Sequence, residues 1–420
     1  MSFPNSGAEP LRMFSSFSDR KWSRLLSWLN DHGLAFYFLQ KLEDTSTSNN
    51  LPEPVISYLK NNFAANQMRV RHMLAQFKIL NQKFTERGIR YAVMKGFSLV
   101  PQFCADSSLR HQSDLDYLID KSSWSAAQQV VIEAGYKPKE QTKSEDLVFL
   151  KPDMGMASRG AEQYQARAPH TVELHLDIWD SDSYGLPSLC SFFSVARSDT
   201  RLFNGLRFPA LTEEDAFLLQ VLHAAGHLFG YWIRLSCLFE IGYFLNQRHS
   251  DTAFWKRVER RIDTNMILRE FVVIVSELVH ELFAPPLPAL ILDWQPLLRP
   301  GARVWMENYA RNWLFGKLPI HQFCLFPRTK FVLFLQQQYR TEVIPEHLVR
   351  KRVIPTARLP GIASALKRQP SLLLNRNWWK HKLVVRRSLF HALAGLRYVC
   401  EIPRWRWLNR ASLQSDSMNA

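Results

Sequence analysis

Between residues 89 and 178, apolar side chains recur at every second position in several short runs, and this alternation constrains the fold most. The clearest run, Thr171 to Ile178, reads Thr-Val-Glu-Leu-His-Leu-Asp-Ile. In an extended strand Val172, Leu174, Leu176 and Ile178 point one way, and Glu173, His175 and Asp177 the other. A second run spans Asp114 to Ile119, where Leu115, Tyr117 and Ile119 alternate with Asp114, Asp116 and Leu118. Ile89 to Met94 and Leu147 to Leu150 read as shorter strands, with helical segments starting near Phe97 and covering Trp124 to Gly135. The order strand, helix, strand, helix, strand, strand predicts a small α/β unit of about 100 residues.

The flanks are helical. Trp22, Leu25, Leu26, Leu29 and then Leu34, Phe36, Tyr37 and Leu39 recur every three to four positions. Asn49-Asn50-Leu51-Pro52 breaks the pattern, and Pro52 is placed to open the next helix. An apolar stripe from Val55 to Phe84 then runs to Gly88, a good C-cap. After Leu211 the helical period returns through Phe217–Leu245, Phe254–Leu282 and Ala302–Phe315, with Thr212 and Asp215 spaced as a capping-box variant. Beyond Phe326 the prolines at 345, 355, 360 and 370 cut the chain into short pieces, and no internal repeat is found.

Composition excludes several classes. With 46% hydrophobic residues in 420 the chain can pack a core. The richest apolar stretch, Phe271 to Trp294, is broken by Glu277, His280, Glu281 and Pro285-Pro286, which argues against a membrane span. The first residues lack a basic start followed by an apolar run, so no signal peptide is expected. Cys104, Cys190, Cys237, Cys324 and Cys400 are odd in number and never in CxxC spacing, which fits a reducing cytoplasm rather than a disulfide framework. Charge is uneven. Residues 350–410 hold 15 lysines and arginines against Glu401 alone, so this segment carries +14 of the net +15 and the rest is nearly neutral.

The chemistry-bearing feature is Ser113-Asp114-Leu115-Asp116. Carboxylates at i and i+2 of a strand share a face and can hold divalent cations, as phosphoryl and nucleotidyl transfer require. Upstream, a strand ending in Lys95-Gly96 before a helix is where backbone N–H groups hold phosphates. Downstream, Glu173 offers a third carboxylate, with His175 and Asp177 on its face.

These runs resemble a known family. Gly88 to Gly96, Leu109 to Ile119 and Val172-Glu173-Leu174-His175 are similar to the uncharacterised bacterial nucleotidyltransferase family of the DNA polymerase beta-like superfamily. Leu222-His223-Ala224-Ala225-Gly226-His227 with Glu240-Ile241 is similar to its later helix, and the resemblance covers roughly residues 20 to 250. It implies an α+β fold, a small mixed sheet of the polymerase beta-like palm type between N- and C-terminal helical regions. It implies that Asp114, Asp116 and Glu173 ligate Mg2+ or Mn2+ and carry catalysis, with Glu173 helping to lower the pKa of the acceptor hydroxyl. Lys95 and Gly96 stand where the superfamily places Gly-Ser for the triphosphate. Ser98, Arg110 and His175 complete the nucleotide-binding set, Arg110 as a bidentate phosphate donor. The implied reaction moves a nucleoside monophosphate from NTP to a hydroxyl acceptor with release of pyrophosphate.

Other readings of the same residues stand beside this one. His223 and His227 have metal-ligand spacing, but Ala224 replaces the glutamate of a metalloprotease helix, so a packed pair facing the catalytic unit is the better reading. The Asp180–Gly185 run lacks the closing acidic residue of a calcium loop. The basic segment, interleaved with Trp378, Trp379, Phe390, Tyr398, Trp405 and Trp407, fits a docking extension, an anionic membrane surface or nucleic acid. A palm that has lost turnover, or an adaptor acting through this tail, are the alternatives to an enzyme. The expected regions are 1–85 (helical), 86–210 (catalytic), 211–340 (helical) and 341–420 (basic). The expected location is cytoplasmic, with a peripheral place at the inner membrane as an option.

Overall fold

The computed structural model describes residues 14–310 apart from residue 15 and the stretches 46–50, 140–145, 152–162, 166–169, 179–188, 190–191 and 230–233. It also describes five positions between 403 and 410. Cys190, Cys324, Cys400, the Asp180–Gly185 run, the helical pattern beyond Ala310 and nearly all of the basic segment lie outside the described residues. The chain divides into two compact units, residues 1–226 with 233–295, and residues 227–232 with 296–420. The sheet and every candidate site residue lie in the first.

Helices α1 (Asp19–Asp31), α2 (Ala35–Asp44) and α3 (Glu53–Glu86) precede strand β1 (Tyr91–Val93). Strand β2 (Asp114–Ile119) and helix α4 (Trp124–Glu133) follow, then β3 (Lys137–Pro138), β4 (Asp146–Leu150), β5 (Thr171–His175), β6 (Ser198–Phe203) and β7 (Leu206–Leu211). Helices α5 (Glu213–Phe229), α6 (Leu235–Arg248), α7 (Thr252–Ile262) and α8 (Met266–Phe283) complete the main elements. The seven strands form one mixed sheet in the order β3-β4-β5-β2-β1-β7-β6. At its centre β2 and β5 run parallel, with Asp116 opposite Glu173 and Leu118 opposite His175. Among the described residues no helix is long and apolar enough to cross a membrane.

The alternation seen in sequence sorts the sheet into two faces. Tyr91, Val93, Leu115, Tyr117, Ile119, Val172 and Leu174 pack with Val70, Met73, Phe77, Leu80 and Phe84 of α3 and with Ala127, Val130 and Val131 of α4. Burying a side chain such as Phe77 or Phe84 stabilises the fold by roughly 1.5–3 kcal/mol. The opposite face carries Asp114, Asp116, Glu173 and His175. Polar residues of α3 anchor the approach to β2: Asn66 Nδ2 donates to the carbonyls of Ser108 (2.7 Å) and Arg110 (2.9 Å), and the buried Arg69 donates to that of Gln112.

Four local expectations change. The strand expected over 89–94 is limited to Tyr91–Val93, and the one expected to reach Ile178 ends at His175, opposite Leu118 near the end of β2. No α-helix follows Gly96. A single 3₁₀ turn, Gly96–Leu99, stops before Pro101, because the residue before a proline is held extended, as Val100 is. The Thr212 hydroxyl makes no capping bond, and Asp215 instead bonds two arginines. The β6–β7 hairpin is new. It turns at Asn204-Gly205, both at positive φ (47° and 77°), the requirement of a tight primed turn.

Candidate active site

Strand β2 delivers Asp114 and Asp116 to the face opposite the core, and the β2–β5 register sets Glu173 beside Asp116. Asp116 is 2% exposed. Its Oδ1 lies 3.3 Å from Lys95 Nζ and 3.5 Å from His175 Nε2, and Glu173 Oε2 lies 3.9 Å from the same His175 nitrogen. One donor atom each from Asp116, Glu173 and His175 falls within 4.8 Å of the others. Thr171 Oγ1 steadies Glu173 by donating to Oε1 at 3.1 Å. Asp116 Oδ2 is buried and has no hydrogen-bond partner among the described residues.

The electrostatics describe a site with too little positive charge. Burial works to raise the Asp116 pKa, but Lys95, His175 and His223 outweigh it and hold this carboxyl below the usual range. Burial and then the neighbouring Asp116 push Asp114 up to about 7 against the pull of Lys95 and Arg110. Glu173 is raised by burial and by Asp116. Lys95 loses some basicity to burial, yet Asp116, Asp114 and Glu173 more than restore it, so its ammonium is firmly charged. Lys95 is the cation shared by all three carboxylates, with Arg110 and the histidines acting on fewer of them. The orphaned Asp116 oxygen, with a second carboxylate and an imidazole in reach, suits a divalent cation.

The second part of the site is the turn after β1. Gly96 has φ +66°, and a Cβ there would lie 2.3 Å from Gln112 Nε2. Gln112 is fixed because Nε2 donates to the Asp114 carbonyl at 3.0 Å. The sequence reading did not single out Gln112, which closes the turn against β2. Lys95 opens toward the carboxylates, whereas Ser98 turns inward, its Oγ 3.2 Å from the Lys95 carbonyl. Arg110 also braces the turn from within: Nη1 donates to the Gly96 carbonyl at 3.3 Å and Nε to Glu240 Oε1 at 2.8 Å. Tyr37 donates to that same Glu240 oxygen at 2.9 Å, tying α2 and α6 to the loop. The structure thus gathers Lys95, Asp114, Asp116, Glu173 and His175, and sets Ser98 and Arg110 against the backbone of the Lys95-Gly96 turn.

His223, on α5, lies near enough to Asp116 to help hold its carboxyl below the usual range. Its signal in sequence was the HxxxH spacing, read there as a packed pair facing the catalytic unit. Arg69 and Asn66 were signalled only as polar breaks in the apolar stripe of α3.

A mixed sheet presenting a strand-borne Asp-x-Asp pair, a carboxylate from the adjacent parallel strand and a Lys-Gly turn is the layout of a nucleotidyltransferase-type domain. The chain belongs to the family described as uncharacterised nucleotidyltransferases, whose model matches residues 18–284. Among solved structures it is similar to an antigenic nucleotidyltransferase-like protein from Paracoccidioides brasiliensis, at 13% identity and a TM-score of 0.27. That match covers 49% of this chain and 92% of the other. Comparison with curated proteins returned no match.

Proposed function

We propose that this protein transfers a nucleoside monophosphate from an NTP to a hydroxyl acceptor, a sugar, lipid-linked intermediate, other small molecule or protein. The observation that carries the reading is the under-compensated cluster of Asp114, Asp116 and Glu173 facing Lys95. In the reaction the acceptor oxygen bonds to the α-phosphorus, the α–β anhydride bond breaks, pyrophosphate leaves, and the hydroxyl proton passes to a carboxylate. Asp116 and Glu173, with Asp114 beside them, would hold Mg2+ or Mn2+, which neutralises phosphate charge and lowers the pKa of the attacking hydroxyl. Glu173, set beside Asp116 by the strand register, would complete the carboxylate set around the cation. Lys95 meets the charge of the triphosphate as a fixed cation. The Gly96 turn holds the lysine toward Asp116, and Arg110 keeps that turn in place.

The test incubates purified protein with labelled NTPs, Mg2+ or Mn2+ and cell extract, and follows label transferred to any acceptor, the protein included. Transfer that disappears in Asp116→Asn supports the proposal. Divalent-dependent NTP binding without any pyrophosphate release would identify a palm that binds but does not turn over.

A further inference from the structure

The third donor beside Asp116 and Glu173 is a nitrogen. In the parallel β2–β5 pair His175 stands two residues beyond Glu173 on the same face, so strand geometry brings the imidazole to both carboxylates. Two ligands bound at about 2.0–2.3 Å to one ion, at angles near 90–120°, lie about 3–4 Å apart. The separations from His175 Nε2 to Asp116 Oδ1 (3.5 Å) and to Glu173 Oε2 (3.9 Å) fit that bite. The buried, unpartnered Asp116 Oδ2 is an independent sign that the cluster is completed by a ligand. Lys95 Nζ already supplies a fixed positive charge at 3.3 Å from Asp116 Oδ1. Asp114 is not one of the three converging donors.

We propose that Asp116, Glu173 and His175 bind one first-row transition dication in preference to Mg2+, with His175 as a direct nitrogen ligand and Lys95 supplying the positive charge that a second ion would bring. The inference rests on the reading of this cluster as the cation site of a nucleotidyltransferase. Its chemical basis is donor softness. Mg2+ is a hard ion that favours an all-oxygen octahedron with retained water, whereas an imidazole strengthens binding of transition dications. Two carboxylates, one imidazole and the remaining positions open also leave room for substrate oxygens.

The experiment uses the full chain with MnCl2 alone and no nucleotide. Pulsed EPR of bound Mn2+ reports directly on nitrogen ligation, and a titration gives the number of ions. The expected result is one Mn2+ per chain with a 14N coupling that persists in His223→Gln and vanishes in His175→Asp. Competition with MgCl2 should show the Mn2+ preference falling on the order of tenfold in His175→Asp, where the donor set becomes all oxygen. Absence of a 14N coupling in the wild-type protein, two ions per chain, or an unchanged preference in a folded His175→Asp would each overturn the proposal. Any of these with cation-dependent NTP transfer intact leaves the reading as a nucleotidyltransferase standing. Failure of both Mn2+ and Mg2+ to bind would strike that reading as well.

Discussion

Two buried aspartates, Asp215 and Asp116, are partnered in opposite ways. Asp215 at the start of α5 is fully buried, and each of its oxygens meets a guanidinium: Arg197 Nε at 2.9 Å and Arg261 Nε at 2.7 Å. Asp116 is almost as buried but meets a lysine at 3.3 Å and a histidine at 3.5 Å through a single oxygen, leaving the other unpartnered. Further carboxylates, Asp114 and Glu173, crowd the second cluster, whereas arginines surround the first. Desolvating a charge is costly, so a carboxylate that serves architecture is matched at once by well-aligned donors. A cluster left short of positive charge, as the raised Asp114 and Glu173 show here, is poised for a ligand that brings it.

The largest test of this contrast removes each carboxylate in turn. Asp215→Ala leaves the mostly buried Arg261 without its carboxylate, while the more exposed Arg197 keeps Glu214, and should cost about 1–3 kcal/mol of unfolding free energy, read by denaturant titration. In the second cluster Asp116 is held charged by Lys95 and His175, so the excess negative charge is removed at Asp114 instead: without added cation, Asp114→Asn should change the unfolding free energy by less than about 1 kcal/mol, or increase it. Equal losses at the two positions would break the comparison.

A smaller effect separates two left-handed glycines. Gly96→Ala forces an L residue to φ +66°, at about 1–2 kcal/mol, and presses on Gln112, which is tied to the Asp114 carbonyl. Gly88→Ala, at φ +63° with open space around it, should cost only the backbone share and leave NTP binding unchanged. Comparable NTP affinity in both variants would mean that the Gly96 turn does not position the phosphate end.

The third prediction concerns a satisfied titratable group outside the carboxylate cluster. His170 is buried against the Tyr136 hydroxyl at 2.9 Å, and burial, aided by Arg69 and Lys151, lowers its pKa to about 4. A histidine whose folded pKa lies below its unfolded value binds protons more readily when unfolded, so its contribution is present above about 6.5 and is lost as pH falls toward 4. His170→Gln should flatten the fall in unfolding free energy across that window. An unchanged slope would assign the acid lability to other groups.

Much of this was legible in sequence where the signal is local. The β2 limits, the α3 stripe ending at Gly88 and the facing of Glu173 and His175 follow from side-chain periods of two and 3.6. What was missed depends on partners distant in the chain. The β6–β7 hairpin carried an Asn-Gly turn signal, but its exposed positions and Pro209 hide the alternation, and its parallel pairing with β1 leaves no local trace. Arg110 reads from its motif as a phosphate donor, yet its Nε bonds Glu240, 130 residues away, and its Nη1 holds the Gly96 carbonyl. The helix expected after Gly96 failed because Pro101 limits the segment to one turn, a stop signal that was present and overlooked.

The central claim is that the Asp116 cluster lacks positive charge until a cation arrives, and that substrate binding depends on supplying it. Calorimetric titration of NTP into the full chain, with and without a divalent cation, measures this directly in the wild-type protein and in Asp116→Asn. The account predicts binding only when the cation is present, and its loss in the variant although the variant remains folded. NTP binding of equal strength without cation, or unaffected by the substitution, would contradict it.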